Sequence, residues 1–229
     1  MNEIKKISNS FEETLKDSNL QNVTIGLAET LSDSLLEDGL LKDIPIIGTI
    51  VGLGKTSINI IDLLFLKKII CFLSELDEVS INNRKEMIDK IDSSKKFRIK
   101  VGEKLLYIID KCDDHENAQY VSKLFVGYLE GDIDYPDFLR GAKVIERIYI
   151  DDLLDFINDD RTDLKPNELG DYEGTGLYET YTEDITVRDQ DDWKASDKYI
   201  VDGGETRGYI TDIGGKIRKV LKTRINNQT

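Results

Sequence analysis

The residues most suggestive of chemistry in this sequence lie between Gly48 and Thr56. Gly54, Lys55 and Thr56 stand in the order that ends a phosphate-binding loop, in which backbone amides surround the phosphates and the lysine contacts them. Such a loop also needs a glycine five positions before Gly54, where this sequence has Thr49, and Gly48 comes one position too early. The spacing therefore disfavours nucleotide binding, and we expect no bound cofactor.

Metal and nucleophilic chemistry have one candidate cluster. The single histidine, His115, lies beside Asp113, Asp114 and Glu116, and Cys112 precedes them. A zinc site would need several cysteine or histidine ligands at short spacing, and a Cys–His catalytic pair would need a third group to orient it. The cluster is more typical of a solvated helix start. We therefore expect no metal site, no catalytic residue and a non-enzymatic protein.

The glycines before Lys55 have a second interpretation. Gly48 and Gly52 form a Gly-xxx-Gly spacing, which lets two helices approach closely in an apolar medium. The apolar segment 44–73 exceeds the roughly 20 residues that cross a bilayer, but charges such as Lys55 and Asp62 oppose a permanent span and favour a hairpin or a conditional insertion. A buried central helix is the alternative. The predicted membrane or oligomer contacts are Gly48, Gly52, Gly54, Ile58, Ile61, Leu64 and Phe65.

The elements that position these residues are predicted to be mainly α-helical. Helical periodicity covers residues 3–19, 22–41, 56–73, 81–95, 101–111, 115–130 and 134–157, and a last helix follows residue 214. Short strands are predicted at 177–181, 185–187 and 198–201. We predict a helical bundle built around segment 44–73, in a domain of residues 1–165. A small α+β module of residues 166–229 follows it.

The net charge limits the classes of partner, and the free cysteines indicate the cellular compartment. The net charge is −14, and residues 113–214 carry 10 basic and 27 acidic side chains, which disfavours nucleic-acid binding. Residues 44–112, with 12 basic and 9 acidic side chains, and the basic tail 215–229 are the parts that an anionic partner would meet. Cys71 and Cys112 lie in apolar helical contexts as free thiols, and no secretory signal is expected, so we predict a cytoplasmic protein.

Two stretches resemble known groups of proteins. Residues 209–221, Tyr-Ile-Thr-Asp-Ile-Gly-Gly-Lys-Ile-Arg-Lys-Val-Leu, resemble the strand-to-helix ending of bacterial winged-helix modules, with the predicted strands as the wing. Such modules read DNA with a basic recognition helix, but residues 171–214 carry 4 basic and 12 acidic side chains, so protein contact or dimerisation is expected here instead. Residues 62–68, 101–106 and 137–140 resemble a set found in uncharacterised bacterial and prophage-associated helical proteins, which implies an intracellular role in phage defence.

Two hypotheses about function follow from these patterns. In the first, the protein is an abortive-infection effector that shields segment 44–73 at rest and associates with the membrane, as a homo-oligomer, after a phage component or another protein triggers it. In the second, the protein is an interaction or regulatory adaptor whose apolar segment stays in the core. Burial of residues 56–73 discriminates between them, because a wide exposed apolar surface favours the first hypothesis.

Overall fold

The computed structural model describes residues 2–17, 20, 23, 43–53, 60–189 and 199–226. These residues form a mainly helical protein with a small antiparallel sheet near the C-terminus, which confirms the predicted class. The α-helices of the described residues are α1 (Asn2–Leu15), α2 (Pro45–Leu53), α3 (Ile60–Ser74), α4 (Ile81–Asp92), α5 (Val101–Lys111), α6 (His115–Leu129), α7 (Tyr135–Ile145), α8 (Ile150–Asn158) and α9 (Asp212–Asn226). The predicted helix 22–41 lies outside the described residues, except residue 23.

Helix α6 occupies the centre of the bundle. It packs against α3, α4, α7 and α9, and every residue from Val121 to Leu129 is buried. Aromatic rings continue this core across four helices, because Phe72 on α3 lies 6.1 Å from Phe11 and 5.8 Å from Phe125, and Phe125 lies 5.2 Å from Phe138. The prediction that the bundle is built around segment 44–73 is therefore not confirmed.

Segment 44–73 does not form one long helix in the described residues. Helix α2 ends at Leu53 and α3 begins at Ile60, with residues 54–59 outside the described part of the chain. No helix in that part is long and apolar enough to cross a membrane. The C-terminal half of α3 belongs to the core, where Leu66 and the run from Ile69 to Leu73 are buried.

Local signals in the sequence determine where several helices begin and end. Asp134 accepts a hydrogen bond from the backbone N–H of Asp137 at 2.7 Å and starts α7, with Pro136 in its first turn, as predicted. Gly131 follows α6 with φ of 86°, a left-handed conformation that glycine adopts without steric cost. The helix predicted over 134–157 is divided into α7 and α8 at residues 146–149.

The strands of the described residues form two small antiparallel sheets. The strands are β1 (Asp163–Leu164), β2 (Tyr178–Thr182), β3 (Thr186–Asp189), β4 (Tyr199–Asp202) and β5 (Thr206–Ile210). In the first sheet β5 lies between β1 and β2, and β3 pairs with β4 alone. The predicted strands are confirmed to within two residues at each end. Residues 165–177, between β1 and β2, contain two short 3-10 helices, Pro166–Glu168 and Gly170–Tyr172.

The C-terminal elements share packing with the helices before them. Helix α9 packs against α6, α7 and α8, and β1 pairs with β5. Arg218 on α9 is buried, and its guanidinium donates to the carbonyl oxygens of Phe156 at 3.1 Å and Arg161 at 2.7 Å and to the Tyr178 hydroxyl at 2.8 Å. One side chain thus joins α9, the end of α8 and β2. The division into two domains at residue 165 stays a prediction.

Candidate functional site

The structure separates the residues predicted to contact a membrane or another copy. Gly54 and Ile58 lie outside the described residues. Gly48 is half-buried on α2, whereas Gly52, one turn later, is exposed and has open space where a side chain would point. Gly48 and Gly52 therefore both lie on α2, one turn apart.

On α3, the N-terminal half carries an exposed apolar strip. Ile61 is 73% exposed and Leu64, one turn further on, is 56% exposed. Phe65 is half-buried and packs against the core. The apolar segment is therefore neither wholly buried nor wholly exposed, because its C-terminal half lies in the core and its N-terminal half presents two large aliphatic side chains to solvent.

A second apolar surface lies on the β-strands. The β2–β5 ladder continues into the β3–β4 ladder, so the four strands form one long two-stranded ribbon. Two hydrogen bonds join the ladders: the Glu183 N–H donates to the Glu205 oxygen at 3.0 Å, and the Gly204 N–H donates to the Glu183 oxygen at 3.2 Å. Gly203 and Gly204 have φ of 86° and 82°, so the backbone turns between the two ladders. The ribbon therefore extends from the helices at β2 and β5 to its outer part at β3 and β4.

Half of the exposed large hydrophobic side chains in the described residues lie on this ribbon, and all of those occupy odd-numbered positions: Tyr181, Ile185, Val187, Tyr199, Val201 and Tyr209. We call this set the ribbon face. Val187 pairs directly with Val201, and the two side chains are 61% and 62% exposed. Cross-strand partners share one face of a ladder, so these two valines form a continuous apolar patch.

The ribbon face is surrounded by acidic side chains. Two arginines on the ribbon are paired, since Arg188 lies 3.2 Å from Asp202 and Arg207 forms an ion pair with Asp163. Five further carboxylates are exposed and make no ion pair with a described residue: Glu179, Glu183, Asp184, Asp189 and Glu205. The arrangement is an apolar patch within a field of negative charge, which suits a partner that carries lysine and arginine beside apolar side chains.

The base of the ribbon, at β2 and β5, packs against the helices. The Tyr178 ring lies 5.8 Å from the Phe156 ring and 5.5 Å from the Tyr172 ring, and its hydroxyl accepts from buried Arg218. Burial raises the pKa of the Tyr178 hydroxyl, whereas the adjacent Arg218 lowers it. Tyr178 therefore anchors β2 to α8 and α9.

In the candidate cluster around His115, the Cys112 thiol is buried. Burial raises the pKa of Cys112 to about 12, so the thiol is protonated at neutral pH and is a poor nucleophile. Its Sγ lies 3.4 Å from the Ile108 oxygen, to which it donates. Across the described ranges, no group of three or more His, Cys, Asp and Glu side chains is arranged to hold a metal ion.

Sequence reasoning missed the ribbon face, although a signal was present. Ile185 and Val187 alternate with the polar residues Asp184, Thr186 and Arg188, which is the period-two pattern of a strand with one apolar face. The pattern alone suggests that this face is buried, and only the structure places it in solvent. No family model, curated protein or solved structure matches the chain.

Proposed function

We propose that this protein is a non-enzymatic interaction protein that binds a basic protein partner through the ribbon face. The observation that carries the proposal is the exposed Val187–Val201 pair on the outer part of an acidic ribbon. An isolated two-stranded ribbon has no core of its own, so apolar side chains on it contribute little to the stability of the monomer. A partner that covers them gains about 1.5–3 kcal/mol for each large aliphatic side chain that it buries completely.

The acidic surroundings determine the class of partner. Carboxylates around the ribbon face repel nucleic acid and anionic surfaces, and they attract lysine and arginine side chains over a distance that salt shortens to about 8 Å at physiological ionic strength. The binding free energy then comes from the apolar patch, while the charges accelerate and direct association. A cytoplasmic adaptor with a protein partner, as the sequence suggests, needs this type of surface.

Replacing both valines by aspartate should abolish partner binding without unfolding the protein. Because Val187 and Val201 are exposed, we expect the Val187→Asp/Val201→Asp variant to keep the wild-type Tm within about 2 °C. Capture from a host-cell extract on immobilised protein, quantified by mass spectrometry, should show a basic partner that wild type retains and the variant loses by at least about tenfold.

The matched control is Ile4→Asp/Ile99→Asp, which introduces the same two negative charges at exposed aliphatic residues away from the ribbon. It should capture the same partner as wild type, and raising the salt concentration should weaken capture by both. Equal recovery of every captured protein by wild type and by the double valine variant would refute binding through the ribbon face.

The exposed strip on α3 favours a second candidate function, which is triggered contact with a membrane in an antiviral defence response. Ile61 and Leu64 would enter the lipid, and the open side of Gly52 would admit another helix. We expect wild type, mixed with candidate phage components, to co-sediment with anionic vesicles and to release an entrapped dye, and Ile61→Asp/Leu64→Asp to do neither. This candidate is excluded if wild type leaves the vesicles intact and unbound under every trigger.

A further inference from the structure

An open groove of about 310 Å³ lies between α5 and α7. Its apolar lining includes Ile108 and Leu139, which are half-buried, and Ala142, which is buried. Tyr107 also lines the groove, and its side chain is 51% exposed. Part of the apolar surface of this α5–α7 groove is therefore not covered by any described residue.

The charged side chains that line the groove are mostly basic: Lys104, Lys111, Lys143 and Glu146. Glu146 forms an ion pair with Lys143, so the single carboxylate of the lining is already compensated. Lys104 and Lys111 lie two turns apart on α5 and make no ion pair with any described residue. The acidic residues of α5, Glu103 and Asp110, do not line the groove. The groove therefore combines apolar surface with two uncompensated positive charges.

The ribbon face has the complementary composition. Val187 and Val201 form its exposed apolar patch, and residues 178–189 and 199–210 carry six carboxylates and two arginines, both of which are ion-paired. The ribbon thus combines apolar surface with uncompensated negative charge, and opposite charges beside apolar patches are typical of two surfaces that bind each other. The two valines are 61% and 62% exposed, so the ribbon does not occupy the groove of its own chain.

We propose that the ribbon face binds in the α5–α7 groove of a second copy of this chain. In this contact Val187 and Val201 cover the apolar lining, and carboxylates of the ribbon lie beside the groove lysines. The inference rests on the function proposed for the ribbon face and identifies the basic surface that it binds. The net charge of −14 opposes contact between copies, but salt screens charges more than about 8 Å apart, so the charges at the contact dominate.

The contact joins two different surfaces, so each copy that uses its ribbon still has a free groove. Association therefore continues into a ring or a chain and does not stop at a twofold dimer. In sedimentation velocity at about 0.15 M salt, we expect dimers and larger species with Kd of the order of 100 µM, because the apolar patch is small. Raising the salt to about 1 M should weaken the association.

Two variants that each remove one side of the contact make the test specific. Val187→Asp/Val201→Asp alters the ribbon, and Lys104→Glu/Lys111→Glu reverses the unpaired charges of the groove. Each variant alone should associate at least about tenfold more weakly than wild type. An equal mixture of the two should form a dimer that grows no further, because one variant keeps an intact groove and the other an intact ribbon.

The matched control for the groove variant is Lys85→Glu/Lys95→Glu, which makes the same change in net charge at exposed lysines outside the groove. It should associate like wild type. A wild type that stays monomeric at about ten times the expected Kd, or a mixture of the two variants that forms no dimer, would overturn the inference. The function proposed for the ribbon face survives that result if the valine variant still loses a basic partner in the extract experiment. Association of wild type that the valine substitutions leave unchanged contradicts the inference as well, because the contact then lies elsewhere on the protein.

Discussion

Replacing Lys123 by methionine is expected to lower the free energy of unfolding by about 3–5 kcal/mol, the cost of leaving one member of a buried ion pair without its partner. The Lys123 ammonium lies 2.9 Å from a Glu75 oxygen, and the two side chains are only 4% and 5% exposed. Methionine fills a similar volume, so the loss reports the removal of the buried ion pair rather than a cavity. Chemical denaturation followed by circular dichroism measures it.

The second carboxylate oxygen of Glu75 accepts a hydrogen bond from the Gln119 amide at 2.6 Å, so the charge is built into the contact between α6 and the 3-10 helix Glu75–Glu78 that follows α3. Glu75→Gln combined with Lys123→Met removes both charges and should recover at least half of the loss. Lys85→Met, at an exposed position on α4, should change the free energy of unfolding by less than about 0.5 kcal/mol. A loss below about 1 kcal/mol for Lys123→Met would show that the pair is not buried as described.

The Arg218→Met variant is expected to lose about 3 kcal/mol of unfolding free energy and to loosen the base of the ribbon. The guanidinium donates to two backbone oxygens and to the Tyr178 hydroxyl, and its central carbon lies 4.4 Å from the centroid of the Phe156 ring. Methionine keeps part of the apolar packing but leaves these acceptors unpaired. Denaturation gives the loss, and amide hydrogen exchange shows where protection falls.

Faster exchange should appear in β2 and β5 as well as in α9, because Arg218 connects α9 to β2 and to the end of α8, and β5 pairs with β2. Lys219→Met changes the next residue, which is exposed, and should leave both measurements near wild type. If the Arg218 variant instead loosens only α9, the ribbon is held by its other contacts. The same experiment tests the predicted two-domain division, since independent domains would lose protection separately.

Several features of the fold could be predicted because their causes are local. Asp134 and Pro136 favour a helix start through a capping side chain and a fixed backbone angle. Gly131 ends the preceding helix because glycine adopts a left-handed conformation without steric cost. Three of the ribbon strands, β2, β3 and β4, were predicted to within two residues, since β-branched and aromatic residues favour extended backbone, whereas β5 was not predicted as a strand.

The centre of the bundle could not be predicted in the same way. Segment 44–73 is more apolar than residues 115–129, yet α6 is the helix with neighbours on every side, and it buries Ser122 and Lys123. The Ser122 hydroxyl donates to the Phe72 oxygen at 2.5 Å, and Lys123 pairs with Glu75, so each polar group is satisfied by a partner far along the chain. Such partners are brought together only by tertiary packing.

For the candidate sites too, some features follow from the sequence and others only from the tertiary structure. The amino-acid sequence by itself determined the helical class, the helix starts, the approximate positions of the strands and the acidic charge around residues 178–210, because each depends on neighbouring residues or on composition. Only the tertiary structure decided that Ile61, Val187 and Val201 face solvent. Exposure depends on which other elements cover a face, and hydrophobicity along the chain does not record that.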